Sequence, residues 1–424
     1  MDKLVIRGGN RLKGEVRISG SKNSVLPVMA ATLLTRDKCI IHNVPRLSDV
    51  FTMVRILEDL GKKVFFSGGT MTVEHISSKK YAASYDLVKT MRASVCVLGP
   101  LIASRGRAKV SMPGGCVIGL RPIDLHVKGL EALGASIRVS GGYCHASLKD
   151  ECLKGSDIYL GGDFGSSVLA TGNVMMAAAL ASGKTVIDFA ACEPEVADLG
   201  SVLIKMGASV SGAGTPRVVI NGRKKLSGFE HTVIPDRIEA GTFIVFALAT
   251  GGKLKINNVI PEHLGAMIDV LIKMGHSIEV KGRSIVAKSR KDFSPVNITT
   301  LPFPGFPTDL QAQFMALLTQ SSGVSVMTEK VYPDRFMHVA ELNRMGAGIF
   351  RSGEVAVVEG NKKLSGAEVM ASDLRASACL VAAGLAASGK TVVHRLYHLD
   401  RGYENFVEKL QAVGADVKRV KAES

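Results

Sequence analysis

The sequence predicts an α/β chain of two domains, each made of three copies of one repeated unit. Three features carry that reading. An amphipathic helix, a glycine and a strand recur as LEDLGKKV, LEALGASI, LIKMGASV, LIKMGHSI, LNRMGAGI and LQAVGADV. Each unit also holds a second helix that is apolar nearly all round, followed by a β-branched run. And 424 residues, 46% hydrophobic and 21% charged, suffice for two or three folded domains without disulfides or metals.

The elements follow in order. The helix-ending glycines are Gly61, Gly134, Gly207, Gly275, Gly346 and Gly414, about 70 residues apart. A fixed period marks internal repeats, and glycine just past a helix end accepts positive φ. Ahead of Gly61, residues Val50, Met53, Val54 and Leu57 keep the helical period. The second helices include SVLATGNVMMAAALASG, EAGTFIVFALATGG and LRASACLVAAGLAASG. Helices apolar on every side are buried, and small residues let them pack closely. Strand-like runs KTVIDF, KLKINNV and KTVVHRL come next. The first twenty residues read as a strand pair. The domain boundary falls near residues 222–236, a basic stretch containing glycine.

A net charge of +15 attracts anions: nucleic acid, anionic membrane or phosphorylated metabolites. Only 5% aromatic residues and no Trp leave little for stacking bases, which argues against nucleic acid. The seven cysteines contain no CxxC, so no zinc ribbon is expected, and they suit a reducing cytoplasm. The N-terminus lacks a signal-peptide core, and no apolar stretch is long enough to cross a bilayer. A cytoplasmic monomer with neither membrane nor nucleic-acid partner is expected.

The starts of the buried helices carry the chemistry-bearing residues. Backbone N–H groups and a partial positive charge gather there and bind anions. At those starts stand Lys22 and Asn23, Arg92, Ser166 and Ser167, Arg237 with Glu239, Asp309 with Gln311, and Asp373 with Arg375. Each alone fits a cap or a surface residue. Lysines and arginines oppose the dipole at a helix start, and an anionic ligand would resolve that conflict. Cys116 sits in the glycine-rich SMPGGCVIGLRPIDLH, with Arg105, Arg107, Lys109, Arg121 and His126 near in sequence. Chemistry alone leaves two readings, an inert loop thiol or one activated by positive charge. Asp309 in FPGFPTDLQAQF reads either as a cap or as a general base. Arg335 and Arg401 read either as surface ion pairs or as ligand contacts.

The blocks SGSKN, YDLVKTMRAS, PGGCVIGLRPIDLH, PDRIEAGTF, FPTDLQAQF, DRFMHVAELNRMGA, MASDLRASA and YHLDRGYE occur in order along the chain. With them the sequence resembles the UDP-N-acetylglucosamine enolpyruvyl transferase family over nearly its whole length. That resemblance implies a two-domain inside-out α/β barrel of six βαβαββ repeats. The N-terminal strand pair would join the C-terminal half, giving one domain of residues 22–234 and another of residues 1–21 plus 235–424. The active site would lie between them. The implied reaction moves the enolpyruvyl group of phosphoenolpyruvate to the 3-hydroxyl of UDP-N-acetylglucosamine and releases phosphate. It is the first committed step of peptidoglycan synthesis and needs no metal or organic cofactor.

The resemblance also implies residue roles. Cys116 would be the proton donor and the fosfomycin target, and Asp309 the base toward the sugar hydroxyl. Lys22, Arg121 and Arg401 would hold the phosphate of phosphoenolpyruvate, with Arg335 and Arg375 toward its carboxylate. Asn23 would contact the sugar. Arg92, Arg121, Pro122, Ile123, Asp124, Leu125, Val168 and Val331 would line the UDP-sugar site. Asp373 would support breakdown of the intermediate. One departure stands out: many members carry a Lys where this chain has Gly165, with Ser166 and Ser167 as replacement donors. Three rival readings remain at this level: the sister enzyme 5-enolpyruvylshikimate-3-phosphate synthase, a basic nucleic-acid scaffold, and a paralogue inactive or shifted to another nucleotide sugar. The PGGC loop, SKNS and YPDRF speak against the first.

Overall fold

The computed structural model describes residues 2–76, 80–83, 85, 91–112, 123–163 and 165–421. Cys116, Arg121 and Pro122 lie outside the described residues, and so does the side chain of Arg92. The chain divides into two compact units, one within residues 20–234 and the other from residues 1–19 and 235–424.

Among the described residues the strands form six four-stranded sheets of one topology. The third unit shows it. Strand Asp157–Tyr159 runs parallel to Lys184–Asp188, Arg217–Asn221 lies antiparallel beside that, and Ser209–Ser211 forms the far edge. Helices Val168–Ala178 and Pro194–Lys205 make the connections. The run KTVID is buried at Thr185, Val186 and Ile187, as expected of a strand covered by a helix.

The N-terminal strands differ from a simple pair. Lys3–Arg7 lies antiparallel between Lys390–His394 and Asp416–Val420, completing the sixth sheet. Lys13–Arg17 runs parallel to Lys253–Asn257, in the fourth. The two are neighbours in sequence but lie in different sheets, each filling a place that the local strands of that sheet leave open. In the other domain, Glu230–Thr232 pairs parallel with Cys39–His42 and completes the first sheet in the same way.

All six helix-ending glycines have φ between +85° and +96°. Only glycine adopts that region without steric cost, which is why the signature survives six times. The Ala-rich helices occupy the middle of each unit. Helices Arg237–Ala249, Thr308–Leu318 and Leu374–Ala386 pack on one another, with nearly every residue buried. A Cβ at Gly241 would fall 2.6 Å from Leu310 Cδ1, so glycine sets how closely two of them approach. The helix pairs of the other unit, such as Leu98–Arg105 with Val168–Ala178, pack likewise. Each unit has its own apolar core. The central helices lie inside each unit and the sheets outside, the inside-out arrangement that the resemblance implies, while helices such as Gly265–Lys273 bury only one face.

Candidate active site

Helix Thr308–Leu318 begins after Pro307, which is its N-cap and supplies no side-chain cap. Asp309 therefore does not cap. Its carboxylate accepts from Arg335 Nη1 at 2.7 Å and from Arg375 Nη2 at 2.8 Å. Both arginine side chains are buried, while that of Asp309 is 25% exposed. Burial opposes the charge on Asp309, but Arg375 and Arg335 outweigh it and hold the carboxyl well below its usual range. The two guanidinium groups are in turn stabilised in the charged form by Asp309, against the cost of burial.

Further bonds orient this cluster. Arg375 Nη1 donates to Tyr403 Oη at 3.3 Å. That hydroxyl lies 3.0 Å from Thr242 Oγ1, which also accepts from Gln313 Nε2 at 3.2 Å. Arg335 Nη1 reaches Thr308 Oγ1 at 3.1 Å. Arg335 Nε is buried without an acceptor among the described residues. A buried, unpaired guanidinium donor is costly.

Val331 is set by a carboxylate that sequence reasoning missed. Glu329, fully buried, accepts from Thr300 Oγ1 at 2.7 Å and Thr308 Oγ1 at 2.9 Å. It also accepts from the backbone N–H groups of Val331 and Tyr332, each at 2.9 Å. One side chain thus fixes the Val331 loop to the start of the Asp309 helix. The strand pattern VSVMTE gives no hint of this, since its final Glu looks like a surface residue.

At Asp373 the cap reading holds. Its Oδ1 accepts from the N–H groups of Arg375 and Ala376 at 2.8 and 3.1 Å. Asp236 caps helix Arg237–Ala249 in the same manner. Arg401 ends the short helix Leu396–Arg401 and is half-buried. Glu239 turns away from any ligand role: it is buried, with its carboxylate on Lys409 Nζ at 2.6 Å and the N–H of Ser19 at 2.8 Å.

In the other unit, Lys22 opens helix Lys22–Ala31, capped by Ser21. Its ammonium lies 2.9 Å from Asp49 Oδ2, and Asp49 is buried. That carboxylate offsets the unfavourable placement of a cation at a helix start. Sequence reasoning missed Asp49, because in SDVF it reads as an ordinary first-turn acid. Asn23 is half-buried beside Lys22. Ser24 donates to Asp198 Oδ2, and His231 Nε2 contacts Asp198 Oδ1 at 2.8 Å, so the helix start is tied to its neighbours.

Ser167 caps helix Val168–Ala178, accepting from the N–H of Ala170 at 3.3 Å. Ser166 and Val168 are half-buried beside it. Gly165 and Gly162 exchange backbone bonds in a tight turn, and Gly165 has φ +87°. A side chain on this backbone would sit in the left-handed region, which glycine enters without cost. Ile123 and Leu125 are buried, and Asp124 is exposed in the first turn of helix Asp124–Ala132. His126 on that helix lies 2.8 Å from Asn173 Nδ2, and Asn173 Oδ1 accepts from the N–H of Gly99 at 2.8 Å. Arg107 and Lys109, on strand Arg107–Ser111, stack on Tyr81 and Tyr143 of the segments on either side of it.

The chain matches the family model described as EPSP synthase (3-phosphoshikimate 1-carboxyvinyltransferase) over residues 6–410. It is 52% identical over 424 residues to the UDP-N-acetylglucosamine 1-carboxyvinyltransferase of Methylacidiphilum infernorum, covering 99% of each chain. The chain belongs to the UDP-N-acetylglucosamine 1-carboxyvinyltransferase family. A member from Myxococcus xanthus is 51% identical over 426 residues, with both chains fully covered. Among solved structures, the enolpyruvyl transferase NikO from Streptomyces tendae superposes with a TM-score of 0.89 at 27% identity, covering 100% of this chain and 99% of that one. EPSP synthase from Acinetobacter baumannii shares the fold, with a TM-score of 0.74 at 19% identity, covering 99% of this chain and 100% of that one.

Proposed function

We propose that this 1-carboxyvinyltransferase-family chain transfers the enolpyruvyl group of phosphoenolpyruvate to the 3-hydroxyl of UDP-N-acetylglucosamine, the entry step of peptidoglycan synthesis. The observation that carries the reading is the buried pair Arg335 and Arg375 on either side of Asp309, with Arg335 Nε unsatisfied. Two fixed guanidinium groups suit a carboxylate ligand, and a carboxylate beside them suits a base.

The chemistry is an addition followed by an elimination. The sugar oxygen bonds to C2 of phosphoenolpyruvate, its proton passes to Asp309, and C3 gains a proton from Cys116. The C2–O bond to phosphate then breaks, its electron pair leaving with inorganic phosphate, while C3 gives a proton back to the Cys116 thiolate and the double bond re-forms. Lys22, Arg121 and Arg401 neutralise that phosphate, and Asp373 orients Arg375 through the helix start that it caps. Asn23, Arg92, Pro122, Ile123, Asp124, Leu125, Ser166, Ser167, Val168 and Val331 take the nucleotide sugar.

The ligand's carboxylate and Asp309 compete for the same two arginines. Phosphoenolpyruvate binding therefore weakens the contacts that keep Asp309 acidic and raises its basicity when a base is required.

The test is phosphate release by the purified protein. Release that needs both phosphoenolpyruvate and UDP-N-acetylglucosamine supports the reading. Release with shikimate 3-phosphate in place of the nucleotide sugar overturns it.

A further inference from the structure

A concavity of about 910 Å³ lies on the outer face of the fourth sheet, lined from strands Lys13–Arg17, Lys253–Asn257, Ser277–Lys281 and Ser284–Lys288. We propose that it binds a small polyphosphorylated ligand, at a site separate from the arginine pair of the same unit.

The register makes the charge arrangement unusual. Lys253 lies directly opposite Lys13 on one side and Lys288 on the other. Like charges directly opposed across strands destabilise a sheet. The next row along neutralises itself: Lys255 faces Glu15 and pairs with it at 3.2 Å. Lys281, further on, pairs with Glu279 at 3.0 Å. The lysine row has no such relief, and Arg11, Arg290 and Lys291 flank it. None of these six cations forms an ion pair among the described residues.

Helix C-termini explain only part of this. The hollow lies at the C-terminal ends of helices Arg237–Ala249 and Thr308–Leu318, lined there by Gly251, Gly252 and Gln320. Two helix ends supply roughly one negative charge together. That is well short of six cations. Gln320 Nε2, also at the hollow, is buried without an acceptor among the described residues.

Size and spacing select the ligand. Adjacent strands are about 4.8 Å apart, so three lysines in register span roughly 10 Å. That is the reach of two or three linked phosphoryl groups. The volume is that of a small-molecule pocket, at its upper end. The arginine pair holds Asp309 at the opposite, N-terminal end of helix Thr308–Leu318, roughly 15–20 Å away at 1.5 Å per residue.

Inorganic tripolyphosphate is the probe, titrated by calorimetry into the full chain with UDP-N-acetylglucosamine saturating and the enzyme inactivated by fosfomycin. The expected result is one saturable site, weakened at least about tenfold in Lys13→Glu/Lys253→Glu/Lys288→Glu. Turnover with the two substrates should be unchanged in that variant. Should the triple variant fail to fold, Lys13→Gln/Lys288→Gln removes charge without reversing it and should weaken binding several-fold. Absence of saturable binding at millimolar probe overturns the proposal, as does equal binding by folded variants. Loss of RNA or anionic-vesicle binding in the variant, with tripolyphosphate never bound, would assign the face to a macromolecular polyanion and overturn it equally.

Discussion

Arg375 and Asp309 are 66 residues apart in the chain, yet Arg375 Nη2 donates to Asp309 Oδ2 at 2.8 Å from the second residue of a neighbouring helix. Each occupies the second position of its own central helix, Leu374–Ala386 and Thr308–Leu318. The repeat thus sets two equivalent helix starts side by side, one carrying a cation and the other an anion.

Tyr403 completes the binding of Arg375. Tyr403→Phe leaves Arg375 Nη1 without this acceptor. An orphaned buried donor costs about 1–3 kcal/mol. Urea unfolding should show a loss of that size, with a raised KM for phosphoenolpyruvate. A loss under about 0.5 kcal/mol with unchanged KM would remove Tyr403 from this role.

Asp49 holds Lys22 at 2.9 Å. Asp49→Asn should raise the KM for phosphoenolpyruvate about tenfold, equivalent to about 1.4 kcal/mol, while the KM for the nucleotide sugar moves less. Equal shifts for both substrates would indicate a folding defect rather than a misplaced Lys22.

Cys116→Ala should slow turnover near neutral pH by roughly 10²–10⁴-fold, the ordinary worth of a general acid. Cys116→Asp should retain some activity and resist fosfomycin, because a carboxyl donates a proton but is not alkylated there. Burial pushes the thiols of Cys39 and Cys144 up to about 11 and that of Cys379 well above its usual value. No adduct is therefore expected on those three, and the exposed Cys152 is the internal control: the adduct should fall on Cys116 and not there. Intact-protein and peptide mass spectrometry checks this, and an adduct on another cysteine would contradict it.

Stability should fall as pH drops from about 6.5 towards 4. Burial depresses both His276 and His338 to about 4 in the folded chain. The unfolded chain takes up those protons first, near pH ~6.5, so folding weakens by up to about 1.4 kcal/mol per pH unit per histidine. Asp309 adds nothing in that window. Its depressed pKa contributes stability above the ordinary carboxylate range that is lost only below about pH 3.9. Urea unfolding at pH 7 and pH 5 measures the difference, and equal stability at both would exclude buried neutral histidines.

The repeat was legible because each signature glycine meets a local demand, a positive φ at a helix end. The central helices were legible because their sequences are apolar on every side. What lay beyond local sequence was the pairing. Asp309, following two prolines, reads from the sequence either as a cap or as a base; Pro307 takes the cap position and leaves the carboxylate to Arg335 and Arg375. Asp49, Glu329 and Tyr403 gave no signal, since their side-chain partners lie 21 to 161 residues away, and the N–H groups that Glu329 also binds are on a loop that only the fold positions. Strands Lys3–Arg7 and Lys13–Arg17 read only as a strand pair, because pairing with distant segments leaves no mark on either strand.

The central claim is that Asp309 is the base, released when phosphoenolpyruvate takes its two arginines. Asp309→Asn separates binding from chemistry. The account predicts a kcat lower by roughly 10²–10⁴-fold, while phosphoenolpyruvate, measured by direct titration, binds as tightly as before or more so. A variant that loses phosphoenolpyruvate binding but keeps its kcat would contradict it.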